Sequence, residues 1–385
     1  MREITQLCYT KDVALHQTAI AIRRTIALSI IGMIVFTVVL TSFDSIKRWW
    51  QQLHPSPEPP PTTGFGKLPA LHLPTLTIKG NPAYSLETAT GELPSLPDRA
   101  KVIAVKEITP SLLGEQRAND LAKSLGFAGE SNLSGDKRSL IFRDTGDKRT
   151  LTINLTTQFF SLSTDLDHIE RTVPKGSALN SAGAVQKAQG FLKRNGLQKG
   201  GYDIGTQTTQ IHQVTNGIVE DAPSVSEGQF TRVDFFRTLT NASTGSFSIL
   251  PANPKIGLVQ VWVTSGLDPD INNILAASYI VWELDKEKAE TYPLRSVASA
   301  WEEVKEGKGI AEVLVEGSSP LDTYVPLNVV AVSVREVRLA YFDDSSYQEY
   351  LQPIYVFSGS ATTAGGKEAD FTAYRPAIST EWIQE

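Results

Sequence analysis

TIALSIIGMIVFTVVLTSF, residues Thr25 to Phe43, is a run of nineteen residues without a charge, and proline-rich sequence follows it closely. At a helical rise of about 1.5 Å per residue it spans roughly 28 Å, close to the thickness of a bilayer's hydrocarbon core. The run sets the expected architecture: one membrane anchor carrying one large folded body. A cleaved signal peptide fits less well, because its apolar region is usually about 7–15 residues long. In addition, Leu40–Ser45 lacks a small-x-small cleavage site. Cys8 is no lipoprotein cysteine, since no apolar stretch precedes it.

Working outward, Arg2, Lys11, Arg23 and Arg24 precede the run, and Lys47 and Arg48 follow it. The excess of basic residues on the N-terminal side predicts a cytoplasmic N-terminus and an exported C-terminal body in the cell membrane. Arg23, Arg24, Lys47, Arg48, Trp49 and Trp50 are the expected flanks of the anchor. The two tryptophans fit either an interfacial aromatic belt or an amphipathic extension of the helix.

Cys8 is the only cysteine and falls on the predicted cytoplasmic side, so the body must hold together without an internal disulfide. More than three hundred residues supply enough chain for ordinary cores. Beyond residue 50 there are thirty Lys/Arg against thirty-nine Asp/Glu, about nine net negative charges. That balance argues against a nucleic-acid partner.

Proline punctuates the next segment, with PSPEPPP at 55–61 and then Pro69, Pro74, Pro82, Pro94 and Pro97. Residues 54–63 read as an extended polyproline spacer. Residues 66–80 (GKLPALHLPTLTIKG) alternate apolar positions and fit either more spacer or a short edge strand on the body. Residues 1–24 are thus expected as a tail, 25–43 as the anchor and 44–97 as a juxtamembrane and Pro-rich linker.

From about Val102 a helix followed by strands recurs. The first helix is expected with Thr109 as N-cap and Pro110 in its first turn, ending at Gly126, and is followed by strands SLIFR, RTLTINL and QFFSLS. A second helix is capped by Asn180 or Ser181, presents Ala184, Ala188, Phe191 and Leu192 on one face, and stops at Gly196. A third follows Ser296, with Val297, Trp301 and Val304 on one face. Units two and three share a faint likeness: IHQV before QFTRVDFFR in one, VREV before QEYLQPIYVF in the other. The expected fold class is therefore α+β, a transmembrane helix followed by repeated helix-plus-antiparallel-sheet units at 98–175, 176–290 and 291–385.

Tyr292–Lys308 (YPLRSVASAWEEVKEGK), Val332–Tyr341, Tyr350–Gly359 (YLQPIYVFSG) and Ala369–Pro376 (ADFTAYRP) resemble PepSY-like modules and the related YycH/YycI-type regulatory ectodomains. The resemblance covers about a quarter of the chain and rests on Trp301, Pro353, Tyr355, Tyr374 and Pro376 as fold markers. It implies a PepSY-like fold and a non-enzymatic protein that modulates a membrane histidine kinase or another envelope machine. No functional residue carries over.

Searched for chemistry, the chain offers little. Its five histidines (His16, His54, His72, His168 and His212) form neither HExxH nor paired Cys/His spacing, so no zinc or other cofactor is expected. Asp165, Asp167 and His168 read as a solvated turn rather than a cation site. Asp268, Asp270 and Asn272 open like a calcium loop, but Asn273 stands where glycine is needed and Tyr279 where the bidentate glutamate belongs. Ser134 and Lys137 form an SxxK pair without its companion motifs. Trp262, Trp282, Trp301, Tyr341, Tyr350, Tyr355, Phe357 and Tyr374 read as core packing rather than a ligand groove. The expected function is non-catalytic binding of another envelope or membrane protein, with any small-molecule ligand unassigned. The alternative is an envelope hydrolase or glycan-binding enzyme whose site is assembled from residues distant in sequence.

Overall fold

The computed structural model describes residues 60–384 apart from 147, 199–204, 242–244 and 266–272, together with Met33. The apolar run at 25–43, Met33 excepted, and all six of its expected flanks lie outside the described residues. Among the described residues no helix is long and apolar enough to cross a membrane.

The expected array of helix-plus-sheet repeats is not the architecture. Among the described residues the chain is mostly β, with two nine-stranded sheets and four short α-helices. The first sheet is antiparallel throughout. In spatial order it runs β3 (Ser131–Leu133), β4 (Ser139–Asp144), β5 (Arg149–Asn154), β6 (Phe160–Thr164), β13 (Ile274–Tyr279), β12 (Val259–Val263), β9 (Phe230–Phe236), β7 (Thr206–Thr215) and β8 (Ile218–Asp221). The join between β6 and β13 is what defeats the repeat. There Phe160 lies opposite Tyr279, with the two rings stacked 5.7 Å apart. Two separate meanders would each leave an open strand edge here, and pairing the two edges removes both.

Local sequence explains the strands. In β5 and β6 buried positions alternate with less buried ones, the pattern of a sheet with one covered face. By contrast β9 is buried at every position, because both of its faces are covered. On one face lie α1 (Gly114–Ser124) and α3 (Ser181–Arg194). The Asn180 side chain caps α3 by accepting the Gly183 N–H, and Ala184, Ala188, Phe191 and Leu192 pack with Val233, Val261 and Ala277. Each large apolar side chain buried there contributes about 1.5–3 kcal/mol. α1 starts four residues later than the Thr109 signal implies: its first residue, Gly114, approaches the Leu155 carbonyl so closely that a Cβ would lie 2.4 Å from its oxygen.

The second sheet is mixed. Its spine is β16 (Val329–Phe342) paired with β17 (Tyr350–Thr363), then β18 (Glu368–Pro376) and β15 (Ile310–Val315). On the other side of β16 lie β1 (Ala83–Leu86) and β11 (Gly245–Leu250), both parallel to it, with β10 (Thr238–Asn241) beyond β11. At one end β2 (Arg99–Val105) pairs with both β17 and β14 (Leu284–Pro293). α4 (Val297–Lys305), capped by the Ser296 side chain, lays Ala300, Trp301 and Val304 against Tyr355, Phe357 and Phe371. The faint internal likeness falls on neighbouring antiparallel strands, β7 with β9 in one sheet and β16 with β17 in the other.

The proline-rich segment joins the body early. Thr63 N–H donates to the Thr291 carbonyl, Leu68 is fully buried beside Ile378, and β1 adds to the second sheet. From Thr62 onward the segment is therefore part of the body and not a spacer.

Candidate binding cleft

The face of the first sheet away from α1 and α3 is divided. α2 (Leu166–Thr172) covers one part, with Ile169 and Val173 against Val214, Phe230 and Leu275. The rest of that face is polar. Period-2 alternation puts Arg232 and Asp234 of β9 side by side there, with Gln210 opposite Arg232 on β7. Their partner surface is the polar half of the second sheet, where Ser360, Glu368 and Asp370 stand on one face. A cleft of about 690 Å³ lies between the two walls.

One loop spans it. Residues 251–258 connect β11 of the second sheet to β12 of the first. Lys255 within this loop accepts a long hydrogen bond from Arg232 through its carbonyl (3.4 Å) and donates through Nζ to Asp370 Oδ2 (2.8 Å). Burial alone works against the lysine's charge, but the hydrogen bond to Asp370 and the fields of Glu312 and Asp370 raise its pKa.

The cleft's buried charges hold each other. Arg232 Nε donates to Asp234 Oδ2 at 2.7 Å and Nη2 donates to Gln210 Oε1 at 3.0 Å, while Asp234 Oδ1 accepts the Gly257 N–H. Gln210 in turn donates to Asp221. Burial pushes the Asp234 carboxyl up, and Arg232 opposes that shift. Arg232 is 1% exposed, and its Nη1 has no hydrogen-bond partner among the described residues. Glu312 accepts from Thr372, and its carboxyl is also pushed up by burial.

His212 borders this network. It is fully buried, and its ring lies 5.5 Å from that of Phe230. Its Nδ1 comes within 3.1 Å of Asp221 Oδ1, yet neither atom has hydrogen-bond geometry. Burial first, then the charge of Arg232, push the imidazole down to about 3.

Asp165, Asp167 and His168 form the start of α2, with Asp165 accepting the His168 N–H as its cap. Ser134 and Lys137 sit in a turn before β4, where Ser134 donates to Asp136 and Lys137 has a φ of 58°. Asp268, Asp270 and Asn272 lie outside the described residues, as do His16 and His54. Among the described residues no cluster of three or more His, Cys, Asp or Glu is placed to hold a metal. Trp282, Trp301, Tyr341, Tyr355, Phe357 and Tyr374 are buried, and Trp262 stacks on Phe230 at 4.8 Å. None of these aromatics lines the cleft.

Sequence reasoning passed over the cleft residues themselves. A signal was present: FTRVDFF alternates Arg and Asp through an apolar strand, and IAEVLV carries one glutamate in the same way. Charges at i and i+2 in a buried strand share one face and need partners across it.

No family model matches the chain, and no curated protein matches it. A crystal structure of an uncharacterized protein from Eubacterium rectale is similar over 74% of this chain and 84% of its own, at 11% sequence identity and a TM-score of 0.35.

Proposed function

We propose that the protein is a single-pass, membrane-anchored binding protein of the cell envelope, whose body engages another envelope or membrane protein outside the cytoplasm without catalysis. The observation that carries this reading is the make-up of the inter-sheet cleft. Its Asp234 and Asp370 carboxylates are engaged by Arg232 and Lys255, and its walls are polar, of mixed charge and free of aromatic platforms. Such a surface suits a polar protein segment better than a sugar ring or an apolar small molecule. The uncharged run at 25–43 and the PepSY-like and YycH/YycI-like residues of the C-terminal part support the same reading. Confinement of both partners to one membrane raises their effective concentration, so that a weak contact suffices.

Crosslinking in intact cells, followed by identification of the attached protein, tests it. A specific envelope protein, recovered equally when residues 23–43 are replaced by an unrelated single-span anchor, is the expected result. Recovery of no protein partner would overturn the reading. So would turnover of an envelope polymer that Asp221→Asn abolishes, which would favour the hydrolase.

A further inference from the structure

We infer that the open edge of β15 takes up an extended segment of the partner as an added strand, with side chains alternating apolar and basic. This rests on the binding function proposed above and names the surface and the partner's chemistry. The phase of the ladder identifies the open groups. Glu316 N–H donates to the Glu368 carbonyl, so Glu312, Leu314 and Glu316 bond toward β18 while Val313 and Val315 turn their peptide groups outward.

Two contacts close the ends of that edge. Leu76 N–H donates to the Ile310 carbonyl, and Ser318 N–H donates to the Val315 carbonyl. Between them the Val313 N–H and C=O and the Val315 N–H have no partner among the described residues, although Val313 is only 4% exposed. A buried polar group left without a hydrogen bond costs about 1–3 kcal/mol, and an added strand would remove that cost.

A second cavity, about 420 Å³, follows this edge, and its far wall includes Tyr324, Val325 and Leu327. Tyr324 Oη donates to the Thr77 carbonyl and Lys79 N–H donates to the Leu327 carbonyl, so the wall is tied back from β15. Val325 on this wall is 67% exposed.

The surroundings set the pattern. A strand in the plane of the sheet sends alternate side chains to opposite faces. On one face it meets Val313 and Val315, which belong to the α4 side of the sheet. On the other it enters the inter-sheet cleft beside Glu312, Glu316, Glu368 and Asp370, where carboxylates outnumber cations. Lys255 is bound to Asp370 and lies 4.0 Å from Glu312 Oε1, and Arg335 is bound to Glu368, so two cations stand against four carboxylates; among the described residues Glu312 Oε1 has no hydrogen-bond partner. Cationic side chains complement that face.

The probe is a labelled peptide of alternating valine and lysine, titrated into the full chain in detergent, with a valine–glutamate peptide as control. The lysine peptide should bind at least about tenfold more tightly at low salt and slow amide exchange at Val313 and Val315. Glu316 and Glu368 are exposed, so Glu316→Lys with Glu368→Lys keeps the fold (checked by circular dichroism) and should reverse the preference. Equal binding of both peptides, no effect of the paired substitution, or protection elsewhere than β15 overturns the inference. In cells, a partner captured by a general crosslinker but not by a photo-crosslinker at Val325 overturns this inference alone. Capture of none by either overturns the binding function with it.

Discussion

Arg237 donates through Nη1 to Asp343 Oδ2 at 2.7 Å, and both side chains are almost fully buried. Arg237 is the single residue between β9 of the first sheet and β10 of the second, and Asp343 is the first residue after β16. The backbone repeats the link: Ile249 N–H donates to the Arg237 carbonyl, and Asp343 N–H to the Leu250 carbonyl. The crossing between sheets is thus clamped by one buried ion pair and by a backbone hydrogen bond on each side of β11. Arg237→Met leaves the Asp343 carboxylate buried without this donor and should destabilise the body by about 3–5 kcal/mol in urea unfolding. Adding Asp343→Leu should recover a large part of the loss, because the desolvated charge is then gone as well.

His212 predicts an acid-side weakness. Its folded pKa is depressed to about 3 from the ordinary 6.5, so below about 6.5 the unfolded chain binds a proton that the folded chain refuses. The stability present above 6.5 should fall, as pH drops toward 3, by up to about 1.4 kcal/mol per pH unit. His212→Phe should flatten that portion of the profile, read by urea midpoints at successive pH values.

Glu303 adds a second, lower window. Arg295 grips its two carboxylate oxygens at 2.6 and 3.0 Å and Arg375 joins from β18, so the Arg295 hydrogen bonds first, and the charges of both arginines, hold its pKa below the usual range. A depressed carboxylate stabilises the fold above its unfolded pKa, and the effect is lost as pH falls through the folded value. Glu303→Gln should cost about 2 kcal/mol at neutral pH and remove this lower acid-dependent step.

At Gly359 of β17 the backbone of β16 leaves no space for a side chain. A Cβ there would lie 1.9 Å from the Ser333 carbonyl oxygen, beside the irregularity between Val334 and Glu336. The neighbour is backbone in the middle of a sheet and cannot swing aside. Gly359→Ala should lower stability by about 2 kcal/mol or more, measured by thermal unfolding of the full chain.

What could be read in advance was local. Asn180 and Ser296 cap helices where cap chemistry placed them, and the face of Ala184, Ala188, Phe191 and Leu192 is the buried one. Gly126 and Gly196 take the left-handed backbone of helix stops. The pairing of β6 with β13 joins Phe160 to Tyr279 across more than a hundred residues, and no local pattern encodes such a partner. The same holds for Gly114: α1 begins there, packed against the Leu155 backbone, and not at the Thr109–Pro110 signal. The cleft stayed hidden because Gln210, Arg232 and Lys255 come from three separate segments. Only Arg232 and Asp234 announced a shared face.

The early docking of the N-terminal part of the body has a kinetic consequence. β1 pairs in parallel with residues 331–334, and Leu68 bridges to Ile383, more than three hundred residues further on. A chain made from its N-terminus therefore presents Leu68 and β1 long before their partners exist. Contacts of such sequence separation form slowly and leave intermediates open to aggregation. β1 has to wait for residues 331–334 and Leu68 for Ile383, so the segments that enter the body first are secured only after about 250 or more further residues have been made.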